Sequence, residues 1–216
     1  MTPRRITGHI AAAAAAVLAV SALPGAGVAD DKPPAAQMKA PPQGTFEYAH
    51  GVKALKLKLY PRAIAHLTVA IRSGDLDSKQ LSDAHYFRGR ALVRSERPEA
   101  ALEDFTRAVT FWPENVKALR LRCRSLALAK QPDAARKDCD LAVSLDGTDW
   151  KNWFTRGLLS KEQGDDPAAK IDLALAMARM PDGMTTFPFV YRPLRDLGLL
   201  QSSPPPPASE STRAGD

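Results

Sequence analysis

Residues 82–115 read SDAHYFRGRALVRSERPEAALEDFTRAVTFWPEN, and their pattern decides the fold. Apolar and small residues recur at helical spacing on either side of Ser95-Glu96-Arg97-Pro98, which predicts two amphipathic helices joined by a short turn. Five positions mark the unit: Gly89, Ala101, Phe105, Ala108 and Pro113. Moving 34 residues on, the same places hold Cys123, Ala135, Cys139, Ala142 and Gly147. A further 34 bring Gly157, Ala169, Leu173, Ala176 and Pro181. Moving 38 back gives Gly51, Ala63, Leu67, Ala70 and Asp75, the offset widened by a four-residue insertion in residues 73–78. One helix pair of this kind cannot bury its apolar face alone, so the units must stack.

Small residues at fixed places let two antiparallel helices approach closely. Gly89 is expected to face Ala101, with Leu92 and Phe105 filling the groove beside that contact, so that Gly89→Ala should be mild. The second helices open near Pro61, Pro98, Pro132 and Pro167, where a missing amide costs nothing. Over residues 44–181 the chain resembles the tetratricopeptide repeat family, and with its leader an exported bacterial member of it. Glu47 and His85 depart from that pattern, standing where the family often has a large apolar residue, and Asp75 and Gly147 stand where it often has proline. The resemblance implies an all-α fold, a right-handed α-solenoid of four helix pairs. A C-terminal cap is expected over 182–201, with a helix from Arg192 to Leu200 and with Phe187, Phe189 and Tyr191 covering the last repeat.

Outside the repeats, residues 1–29 have the form of a signal peptide. Arg4 and Arg5 precede an apolar stretch that ends at Pro24, and Gly27-Val28-Ala29 offers a cleavage site before Asp30. The apolar run is too short and too rich in alanine to span a bilayer, so a periplasmic or secreted protein without stable membrane insertion is expected. Thr7, Gly8 and His9 do not follow the twin-arginine pattern, which favours the general secretory route. Residues 30–43 read as a Pro-rich linker and 202–216 as a disordered Pro-rich tail.

The net charge of +6 tilts the chain towards anionic partners. Four His, two Cys and no nucleophile motif or phosphate-binding glycine loop leave little for catalysis, so no enzyme activity, cofactor or metal is expected. Nucleic acid is disfavoured for an exported protein. Arg88, Arg122 and Arg156 each precede Asp104, Asp138 and Asp172 by the same interval, which predicts a ladder of interhelix ion pairs. In the first unit His50 and His66 replace both members, which predicts that the two rings touch. Cys123 and Cys139 fall on facing helices, and export would permit a bond, but an expected displacement of one turn favours buried free thiols. Trp150 and Trp153 are expected to pack against the third repeat.

In the family the first helix of each pair lines a concave groove. Carried onto this chain, the lining residues are Tyr48 and Val52, then Tyr86, Arg90 and Arg94, then Lys117, Arg120 and Arg124, then Lys151, Phe154 and Lys161. Cations interleaved with aromatic rings suit a protein or peptide segment bearing carboxylates and an apolar anchor. Tyr48, Val52 and Phe87 stand where some relatives carry a Lys/Asn clamp for the C-terminal carboxylate of chaperone peptides, so an internal acidic segment is expected instead. The alternative is a structural or assembly subunit of a cell-envelope complex.

Overall fold

A computed structural model describes residues 42–200. The expected leader, all but the end of the linker and the tail lie outside the described residues. Among those described, eight helices form four antiparallel pairs: α1 (Gln43–Lys56) with α2 (Tyr60–Arg72), α3 (Ser78–Arg94) with α4 (Pro98–Phe111), α5 (Val116–Leu128) with α6 (Pro132–Leu145), and α7 (Trp150–Glu162) with α8 (Asp166–Met177). Each second helix then packs on the first helix of the next pair. α1 also packs on α3 and α5 on α7, which gathers the first helices on the inner side of the stack. A 3-10 turn (Met184–Thr186) and α9 (Pro188–Asp196) close the C-terminal end.

The helix boundaries follow from local chemistry. Pro98 and Pro132 are the first residues of α4 and α6, and Pro61 and Pro167 the second of α2 and α8. Asp77 and Gln80 form a reciprocal capping box at the start of α3. Asn115 caps α5 through the Ala118 amide. Each pair turns through one left-handed residue at the same repeat position: Lys58, Glu96 and Lys130, with φ of 60°, 58° and 58°, and Gly164 in the fourth. Only the fourth repeat has the residue that adopts this conformation without a Cβ clash.

The close helix contact is not the one expected from the sequence. A Cβ at Gly89 would lie 2.7 Å from the ring of Phe105, one at Gly51 2.5 Å from Leu67, and one at Gly157 2.9 Å from Leu173. The small position therefore opposes the large position, not the alanine, and Gly89→Ala is no mild change because Phe105 is fully buried. This alignment also corrects the thiol expectation. In the third repeat the opposed positions are Cys123 and Cys139, their Cα atoms are 5.5 Å apart, and they form a disulfide. No free cysteine remains among the described residues. The one-turn displacement came from pairing the small position with Ala135.

The Arg–Asp ladder forms within each repeat and is bidentate at every rung. Arg88 donates to Asp104 at 2.8 and 2.7 Å, Arg122 to Asp138 at 2.6 and 2.6 Å, and Arg156 to Asp172 at 2.8 and 2.8 Å. All three aspartates are buried. Two rungs also reach back one repeat, Arg88 to Thr68 Oγ1 and Arg156 to Asp140 Oδ1. In the first repeat the rings of His50 and His66 do meet, with centroids 5.6 Å apart. His66 Nδ1 lies 2.7 Å from Glu47 Oε2, and His85 Nδ1 2.9 Å from Asp104 Oδ1, at the same sequence interval of 19. The acid and the imidazole have exchanged helices between repeats. Glu47 and His85 depart from the apolar pattern together with a polar partner across the pair, which keeps each one satisfied.

The insertion after α2 is tied to the first helix. Asp75 Oδ2 accepts from the Gly44 amide at 3.0 Å, so the loop returns to cap α1. The cap also differs from expectation. α9 starts at Pro188, earlier than Arg192, and it is Val190, Leu194 and Leu197 that cover the fourth repeat, while Tyr191 is buried as well. Phe187 and Phe189 are 50% and 58% exposed. Trp153 does reach the third repeat, donating to Gly147 O at 2.8 Å. Trp150 instead joins Phe154, Leu173 and Val190 in the cluster between the fourth repeat and the cap.

Candidate protein-binding groove

Val52 apart, the residues expected to line the groove separate into three groups. Tyr48, Tyr86 and Phe154 are aromatic residues packed against neighbouring rings. Tyr86 and Phe154 are buried, in contact with Phe87 and Phe105 and with Trp150 respectively. Tyr48 packs edge-on against Phe87, and burial with the nearby Asp83 carboxylate pushes its hydroxyl up to about 12. A second group of cations is already engaged. Arg120 donates from Nη1 to Asp149 Oδ2 at 2.8 Å and to Asn152 Oδ1 at 3.0 Å. Lys161 pairs with Asp196 of the cap at 3.0 Å. Lys151 lies 3.8 Å from Asp149, over the Trp150 ring. Lys117 sits in the field of Asp83, whose carboxyl is raised by burial against the opposing pull of Asn115 and Lys117.

The third group, Arg90, Arg94 and Arg124, meets at one hollow of about 490 Å³ near the C-terminal ends of α1, α3 and α5. Lys56 and Lys58 complete its rim, and Leu55, Val93, Leu121 and Leu128 give it an apolar floor. None of these five cations makes an ion pair or side-chain hydrogen bond among the described residues, and no acidic side chain lines the hollow. The Arg90 guanidinium lies over the rings of Tyr86 and Phe87 at 5.5 and 5.8 Å, which holds it on the groove side of α3. Lys56 and Lys58 are not among the lining residues expected from the sequence. The repeat offset carried a signal for Lys56, which occupies the position of Arg94. Nothing in the local sequence marked Lys58, whose place is set by its left-handed turn.

Among the described residues no group of three or more acidic, His or Cys side chains could hold a metal, and no helix is long and apolar enough to cross a membrane. What the arrangement offers is an open, cation-rimmed, apolar-floored surface on the inner face of a helical-repeat stack.

Fold and groove together define a helical-repeat interaction protein. The tetratricopeptide repeat family model matches residues 48–115 and again 86–149. The chain belongs to that family, whose members are generally non-enzymatic protein-interaction scaffolds. Among solved structures it is similar to YrrB, a TPR protein with an unusual peptide-binding site, at 23% identity and a TM-score of 0.56, over 65% of this chain and 71% of that one. It is similar to TTC0263, a thermophilic TPR protein of Thermus thermophilus, at 19% identity and a TM-score of 0.57, over 72% and 81%. The first TPR of Spaghetti (RPAP3), bound to the HSP90 peptide SRMEEVD, is matched at 20% identity and a TM-score of 0.50, over 57% and 97%. No curated protein matches the chain.

Proposed function

We propose that this protein is an exported scaffold that holds an internal acidic segment of a partner protein in the cationic part of its groove. The observation that carries the reading is the meeting of Lys56, Lys58, Arg90, Arg94 and Arg124 at one hollow without a single lining carboxylate. Cations already neutralised by the protein's own acids, as Arg120 is by Asp149, have little left for a ligand; these five keep their full field. That the Spaghetti (RPAP3) fold holds a Glu- and Asp-bearing peptide makes such a ligand reasonable for the architecture. Tyr48, Val52 and Phe87 in place of a carboxylate clamp favour an internal stretch over a chain terminus. Export is supported by the leader-like residues 1–29 and by the Cys123–Cys139 bond, which suits an oxidising compartment.

The test is binding to a peptide array graded in acidity, at low and moderate salt, by the wild type and by the combined Arg90→Glu, Arg94→Glu, Arg124→Glu variant. Binding should rise with carboxylate number, weaken with salt and disappear in the variant. Unchanged binding, with the helical circular dichroism intact, would place the surface elsewhere. Export is tested by N-terminal sequencing, which should find Asp30 first. Met1 retained on membrane-bound protein would overturn it.

A further inference from the structure

The cationic hollow continues into a second one of about 400 Å³, and Leu121, Arg124 and Leu128 line both. Beyond Arg124, α7 supplies Phe154 and Leu158 and the cap supplies Met184 and Phe189, an apolar patch with Arg120, Lys151 and Glu162 at its margin. Phe189 stands edge-on to Phe154, with centroids 6.5 Å apart, yet it is 58% exposed while its neighbour Val190 is wholly buried. Capping the fourth repeat does not need it, because Val190 and Leu194 already do that. Its ring instead forms the far wall of the groove.

Resting on the reading of the cationic half given above, we propose that the cap is part of the binding surface and that the partner segment has two parts. Carboxylates meet Arg90, Arg94 and Arg124, and one aromatic or large aliphatic side chain enters between Phe154, Leu158 and Phe189. Arg124 belongs to both hollows, so an extended segment paired with it is carried over Leu121 and Leu128 towards the phenylalanines. Exposed cations attract an acidic chain without fixing its register, whereas an apolar side chain in a walled pocket does fix it. The sign of the neighbouring field thus selects the occupant of the apolar half.

The test uses labelled synthetic peptides in which four glutamates are joined by short Gly-Ser spacers of varied length to either Phe or Ala. Affinities for the purified chain are read by fluorescence anisotropy. With the fitting spacer, the Phe peptide should bind about fivefold or more tighter than its Ala counterpart. Phe189→Ser should abolish that advantage while leaving the Ala peptide within about twofold, and Met184→Ser provides a second reduction should the first variant lose its helical signal. The Arg90→Glu, Arg94→Glu, Arg124→Glu variant should weaken both peptides. If both peptides bind equally at every spacer, or the advantage survives the cap variants, the two-part groove is wrong and the cationic half stands. If neither peptide binds, or the arginine variant binds both as before, the underlying reading fails and this inference with it.

Discussion

The disulfide between Cys123 and Cys139 occupies, in the third repeat, the place where the Phe105 ring lies against Gly89 in the second. Both pairs are 16 residues apart and join the two helices of one unit. A covalent link has replaced a ring-on-glycine contact. The two devices differ in how they stabilise: one buries apolar area, the other restricts the unfolded chain.

Replacing both cysteines by serine should therefore destabilise the protein by about 3 kcal/mol or more, adding buried hydroxyls to the lost loop constraint. Cys123→Gly combined with Cys139→Leu, which restores the pairing of Gly157 and Leu173, should recover part of that loss. Urea denaturation under oxidising conditions checks both. A double-serine variant as stable as the parent would mean that the bond contributes nothing.

Gly89→Ala is expected to cost about 1–3 kcal/mol, because its methyl would meet a fully buried ring, and Gly89→Leu more. The informative companion is Gly89→Ala with Phe105→Leu, which frees space and should be less damaging than the sum of its parts. Additive losses in denaturant melts would mean that the two residues do not press on each other.

Arg122→Ala and Asp138→Ala should be less than additive in a double-mutant cycle, since either removes the same bidentate contact. The single changes should not be equal. Arg122→Ala leaves a buried carboxylate unpaired and should be the worse, whereas Asp138→Ala strands a partly exposed guanidinium.

Acid should weaken the second repeat through Asp104. Burial works to raise its carboxyl, but hydrogen bonds from Arg88 and His85 outweigh burial and hold it below the usual carboxylate range. An ionised carboxylate only accepts, so His85 Nδ1 carries the shared proton. A depressed folded-state value contributes stability that is fully present above the unfolded value of about 3.9 and is lost as pH falls through the folded one. The melting temperature should therefore decline below about pH 4 less steeply in Asp104→Asn than in the wild type, though the variant starts lower at pH 7. Parallel declines would show that Asp104 carries no linked proton.

Lys130→Gly and Glu96→Gly should each stabilise the protein by about 0.5–1 kcal/mol, because both residues hold a left-handed conformation that Gly164 adopts freely in the fourth repeat. Denaturation midpoints lower than the parent's would show that the Cβ is tolerated there.

The 34-residue recurrence determined the number of helix pairs, their turns and the Arg–Asp ladder, because each rests on identities repeated at a fixed interval. Pro98 and Pro132 marked their helix starts for a local reason, the missing amide. Which residue faces which was decided only in three dimensions. A shift of one helical turn separates Gly89 against Ala101 from Gly89 against Phe105, and a periodic pattern fits either register equally well. That single turn also separates two free thiols from a disulfide. The groove divided for a similar reason. The sequence showed a row of cations, but Arg120 and Lys161 are neutralised by Asp149 and Asp196, which lie 29 and 35 residues away. Charge composition is local and additive, whereas the field a ligand meets depends on which charges the fold leaves without a partner.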